Sequence, residues 1–166
     1  PTENEHRAMA LMSAIGGAKG FIYYYFHDIC YATYTKREDW MPRFLENWRT
    51  VSRALETVKE LEPFILSTTP APKVTVKDVK GRTRARAFVD DEYGRIRVLI
   101  ACDGPGQSEA EITVDGPNTD ALVAKFNRTQ RETKDGRTIY RFKGNDVDCD
   151  LLQRWPELEF NKDLRK

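Results

Sequence analysis

Along the first third of the chain apolar residues recur at helical spacing, and beyond Pro70 they alternate with polar ones. Thr2 and Glu5 have capping-box spacing, and Ala8, Leu11, Met12 and Ile15 then form one apolar helical face that Gly16-Gly17 ends. Residues 20–26, Gly-Phe-Ile-Tyr-Tyr-Tyr-Phe, are apolar on both faces. That pattern predicts a strand covered on both sides, as in a parallel sheet. A polar, aromatic loop follows over residues 27–39. The next helix is predicted from about Pro42, a good first-turn residue, to just before Pro63. Its Phe44, Trp48, Val51, Leu55 and Val58 step by four and three, which predicts one stripe packed against a sheet.

Ser67-Thr68-Thr69-Pro70-Ala71-Pro72 reads as a short, stiff linker, since proline cannot continue a helix and restrains the residue before it. The boundary divides the chain into residues 1–69 and 70–166. Beyond it, strands are predicted at 73–79, 84–90, 95–102, 110–114, 122–126, 130–133 and 138–142, at the spacing of an antiparallel β-sandwich. Asp135-Gly136 is a strong hairpin turn, and residues 91–94 and 103–106 are looser ones. The tail after Gly144 fits either a closing strand or a short helix through Leu151, Leu152 and Trp155.

Composition narrows the class. At 40% hydrophobic and 32% charged, 166 residues suit a globular chain with its own core. A net charge of +1 argues against non-specific nucleic-acid binding. The longest apolar run is far below the ~20 residues a membrane helix needs, so no membrane partner is expected. The chain begins at Pro1, the expectation for a processed or shortened chain. Cys30, Cys102 and Cys149 are too few and too scattered for a disulfide framework and read as buried small hydrophobes. They leave the compartment open, a secreted or periplasmic one included.

The stretch Ser13-Ala14-Ile15-Gly16-Gly17-Ala18-Lys19-Gly20-Phe21-Ile22-Tyr23-Tyr24-Tyr25-Phe26 resembles the seventh helix and eighth strand of TIM-barrel glycoside hydrolases. Trp48 through Glu60-Leu61-Glu62-Pro63-Phe64-Ile65-Leu66-Ser67 is similar to the last barrel helix and its exit in those enzymes. Several such families continue into a C-terminal β-sandwich. The resemblance implies an α+β chain: a helix-strand-helix remnant of a (β/α)8 barrel, then an antiparallel β-sandwich. It implies the C-terminal portion of a glycoside hydrolase, with carbohydrate as ligand and a missing N-terminal barrel segment, or a second copy of the chain, as partner. The catalytic carboxylate pair would stand on earlier strands and is not identifiable here. What remains is one wall of the site at the strand's C-terminal end: Tyr25 and Phe26 to stack on a sugar, His27 and Asp28 to bond its hydroxyls. The alternative is a stand-alone carbohydrate-binding or protein-interaction module without catalysis.

No cofactor or metal is expected. Gly16-Gly17-Ala18-Lys19-Gly20 ends a helix and opens a strand, the reverse of a phosphate loop. His27-x-x-Cys30 finds no second close ligand pair for zinc, with only His6, Cys102 and Cys149 to complete it. Asp146-x-Asp148-x-Asp150 with Glu157 mimics a calcium loop, but Leu151 stands where the loop needs glycine. A solvated strand face is the expectation there. Lys77, Lys80, Arg82, Arg84 and Arg86 form a basic run, with the three arginines on one face of a strand, read as an ordinary charged sheet face that could meet anionic sugars or a partner. Asn127-Arg128-Thr129 is a glycosylation triplet of the kind that occurs by chance.

Overall fold

The computed structural model describes residues 2–21 and 40–154. Among the described residues two helices, α1 (Glu3–Ile15) and α2 (Trp40–Ile65), precede six antiparallel strands. These are β1 (Val74–Lys80), β2 (Thr83–Val89), β3 (Ile96–Val114), β4 (Leu122–Ala124), β5 (Thr129–Lys134) and β6 (Arg137–Arg154). The class is α+β. The predicted strand over residues 20–26, from Ile22 onward, and Tyr25, Phe26, His27 and Asp28 with it, lies outside the described residues.

The strands form one sheet where the sequence suggests a sandwich of two. The difference lies in β3 and β6, each of which runs on through a stretch that reads as a break. In β3 the Asp103–Gly106 turn is a bulge: register passes from Asp103↔Val147 to Gln107↔Asn145, leaving residues 104–106 opposite Asp146 alone. Gly104 needs its φ of +56° there, and a Cβ would stand 3.0 Å from the Asp146 backbone. In β6 the ambiguous tail continues as strand to Arg154.

β1 and β2 lie end to end along one side of β3, and β4 and β5 end to end along the far side of β6. Four bent ribbons result. Val98, Ile100 and Cys102 before the bulge join Ala110 and Ile112 after it, with Tyr140, Phe142 and Leu152, in one buried cluster. The sheet is therefore folded over its own inner face. Tyr140 ties this interior to the β4 entry, its hydroxyl accepting the Leu122 N–H at 3.1 Å and donating to the Thr119 carbonyl.

The outer face, with Phe88, Leu99, Ala101, Cys149 and Leu151, is covered by Ala8, Leu11 and Ala14 of α1 and Leu61, Phe64 and Ile65 of α2. The α1 capping box forms as the spacing predicts: the Glu5 N–H donates to Thr2 Oγ1 and the Thr2 N–H to Glu5 Oε2. Helix α2 differs from expectation at both ends. It runs to Ile65, past Pro63, which forgoes the N–H bond to the Lys59 carbonyl two residues before the helix ends. Its predicted stripe does not face the sheet. Val51 is buried, but Trp48 is 47% exposed beside Met41 and Leu45, and only the last turns reach β2. Phe64 is a core residue and Leu66 is exposed. The Ser67–Pro72 linker is pinned by Asp91, whose Oδ1 accepts from Ser67 Oγ at 2.6 Å and from the Thr69 N–H at 3.1 Å. These bonds hold the Asp91 carboxyl down at about 2.

Candidate functional site

A backbone bent four times side by side breaks four stretches of ladder and leaves N–H groups that need acceptors. Aspartates supply them. Asp78 Oδ1 accepts the Thr83 N–H across the β1–β2 bend at 2.9 Å. Asp146 Oδ1 accepts the Gly106 N–H at the β3 bulge at 2.8 Å. Asp148 Oδ2 accepts the Asn145 N–H within β6 at 3.3 Å. Asp150 takes the Phe126 and Arg128 N–H groups at the β4–β5 bend, at 2.9 and 2.8 Å.

The reading of Asp146, Asp148 and Asp150 as a solvated strand face is thus corrected. Asp146 alone is exposed; Asp148 is 3% and Asp150 0% exposed. Opposite Cys102 and Ile100, they stand on the inner side that the fold closes. Glu157 lies outside the described residues, as do His27 and Cys30. Among the described residues no group of carboxylate, thiol and imidazole side chains has the arrangement of a metal site.

Where the bends meet the N-terminus of α1, a cleft of about 600 Å³ opens. Its floor is the Asp148 network. Asp148 Oδ1 accepts from Asn4 Nδ2 at 2.7 Å and from the Cys149 N–H at 2.8 Å, and Arg128 Nε stands 3.2 Å from Oδ2. Gln107, Ser108, Lys143, Asn145 and Asp146 form the walls, with Lys80 at the rim of the β1–β2 bend, where its Nζ donates to Gln107 Oε1 at 2.9 Å. The glycines explain the shape. A Cβ at Gly81 would meet Ser108 Oγ at 2.5 Å, and one at Gly144 would meet the Phe142 ring at 2.7 Å.

The lining mixes cations (Lys80, Arg128, Lys143) with carboxylates (Glu5, Glu109, Asp146, Asp148) and amides, and among the described residues no aromatic side chain lines it. The backbone N–H of its cap partner Thr2 draws the Glu5 carboxyl below the ordinary glutamate range. Such a lining offers donors and acceptors of both signs at a rigid surface, the means to hold a hydroxylated ligand by hydrogen bonds. Neither the cleft nor its acidic floor was foreseen from sequence. The usable signal was the run of alternating aspartates just after Gly144.

The two described thiols, Cys102 and Cys149, are buried. Burial pushes Cys149 up to about 12 and raises Cys102 as well. Alkylation of the native protein at mildly alkaline pH is expected to spare both and to modify them only in denaturant. Peptide mapping by mass spectrometry reads each cysteine separately, and native-state labelling of Cys149 would contradict the packing described.

Of the arginines in the basic run, Arg84 and Arg86 share one face of β2, as the alternation predicts, and Arg82 just precedes the strand. Arg82 and Arg84 are exposed, whereas Arg86 donates to the Ile15 carbonyl at 3.3 Å and caps α1. Comparison with protein-family models, with curated proteins and with solved structures returned no match.

Proposed function

We propose that the chain is a binding module without catalysis of its own, holding a carbohydrate in the cleft where the strand bends meet α1. One observation carries the reading: the first turn of α1 presents the amide of Asn4, and strands β3 and β6 those of Gln107 and Asn145, beside Lys143 and Asp146 in a single concave surface. Planar amide and charged groups bond adjacent sugar hydroxyls as donor and acceptor together, and balanced charge favours neutral over strongly ionic ligands. The buried carboxylates nearest the cleft, Asp148 and Asp150, already accept backbone N–H groups.

The other reading, the C-terminal portion of a glycoside hydrolase, draws support from the exposed Met41, Leu45 and Trp48 of α2, where missing barrel strands would pack. It is the weaker of the two. A barrel wall turns the apolar sides of its helices toward barrel strands, and α1 buries its own against the antiparallel sheet.

The test is saturation-transfer NMR of the full chain against neutral and acidic oligosaccharides. Binding is expected from neutral members, weakened about tenfold, the worth of roughly one hydrogen bond to a charged or well-placed group, by Gln107→Ala or Asn145→Ala. Absence of binding throughout the panel at millimolar sugar would overturn the assignment.

A further inference from the structure

The ribbon made by β1 and β2 is an edge: its inner side pairs β3, and no described strand pairs its outer side. The Asp115 N–H donates to the Lys73 carbonyl at 2.9 Å, so in β1 residues 73, 75 and 77 turn their backbone groups toward β3. By the same alternation Val74 and Val76 turn theirs to the open side.

The charge along this edge is one-sided. Lys73, Lys77, Lys80, Arg82, Arg84 and Arg86 stand against one acid, Asp78, on a chain whose net charge is +1. Asp78 is already committed to the Thr83 N–H. Lys77 is 76% exposed and only loosely paired, at 3.6 Å, with Glu111. Arg82 and Arg84 are exposed and have no hydrogen-bond or ion-pair partner among the described residues.

We propose that the β1–β2 edge is a docking site for an acidic polypeptide segment, which adds to the sheet as an extended strand beside β1 and sets its carboxylates against Lys77, Arg82 and Arg84. Open N–H and C=O groups supply pairing that any strand can use, and charge decides which strand does. A second copy of this chain is disfavoured, because its own basic edge would be set against the first. Flexible anionic polymers can answer the charge but cannot complete the ladder at Val74 and Val76. This surface is separate from the carbohydrate reading of the cleft.

The experiment titrates the full chain with a labelled peptide of alternating valine and glutamate, followed by fluorescence anisotropy at low and at physiological salt, with amide hydrogen exchange at Val74 and Val76. Expected are saturable binding, slowed exchange at those two amides, and at least tenfold weaker binding by Arg82→Glu/Arg84→Glu, whose thermal unfolding should match the parent's. Asn145→Ala, which alters the cleft, should leave the peptide affinity unchanged. The proposal is overturned by no binding, by equal binding of a peptide with proline at alternate positions, by unprotected Val74 and Val76, or by a heparin oligosaccharide or single-stranded oligonucleotide binding as tightly as the peptide. It is likewise overturned if the double charge reversal leaves affinity intact.

Discussion

Replacing Asp150 by alanine is expected to destabilise the protein by about 3 kcal/mol and to lower its melting temperature by on the order of 10 °C. The carboxylate is fully buried and accepts N–H groups from Phe126, Arg128 and Leu151, the last at 2.8 Å. Alanine leaves those donors facing a dry interior, and each such donor costs about 1–3 kcal/mol. Asparagine should recover only part of the loss, since its amide oxygen serves one side of the bend while its NH2 confronts donors on the other. The pH dependence separates the two effects. Burial raises the Asp150 carboxyl above its usual 3.8 despite the backbone N–H bonds from Phe126, Leu151 and Arg128 that pull it down. The folded state thus binds the proton more tightly than the unfolded one. The contribution of this group to stability is full below pH 3.8 and is lost as pH rises through the raised value. Asp150→Asn should abolish that decline, and urea titrations between pH 3.5 and about 7 measure it. Asp150→Ala within about 1 kcal/mol of the parent would show that the β4–β5 bend does not depend on the carboxylate.

Asp150 also marks where sequence reading stops. Its two-residue spacing from Asp148 places both on one side of a strand, and that much is local. Whether the side is wet or dry depends on the bulge opposite Asp146, where β3 folds the sheet onto itself, a contact between residues some forty positions apart. Cys149 and Leu151, on the other side, are apolar, which is the pattern of a half-exposed strand. Solvent was the natural inference, and long-range closure overrode it. Features set by neighbours in sequence were legible. The Thr2–Glu5 cap forms, and the Asp135-Gly136 hairpin takes positive φ at both positions, 52° and 72°. Helix α2 shows the intermediate case: the period of Phe44, Trp48, Val51 and Leu55 identified a helix with an apolar side, but α1 takes only part of that side, around Val51 and Ala54. The cleft was hidden for the same reason as the closure, since its walls come from α1, β3 and β6 and meet only after the bends form.

Substituting Gly144 by valine is expected to cost about 2–3 kcal/mol, although the residue lies in a strand with no positive φ to require glycine. The cause is contact on the inner face. Gly144 follows Phe142 on the same side of β6, and the Phe142 ring lies back across it, so that an added Cβ would stand 2.7 Å from Cζ and 2.8 Å from Cys102 Sγ. Neither obstacle can yield cheaply. Phe142 and Cys102 are packed in the interior cluster at the point where the two halves of the sheet meet, and moving the ring displaces Ala110 or Ile112 with it. Alanine already meets the clash, and valine adds branches to it. Gly20→Ala is the matched control, since nothing among the described residues lies within 4 Å of its Cβ position, and it should unfold within a few tenths of a kcal/mol of the parent. Circular dichroism during urea titration compares the variants directly. If Gly144→Val proves as stable as Gly20→Ala, the ring must have room to swing aside, and the close packing assigned to the fold's interior at this corner would be wrong.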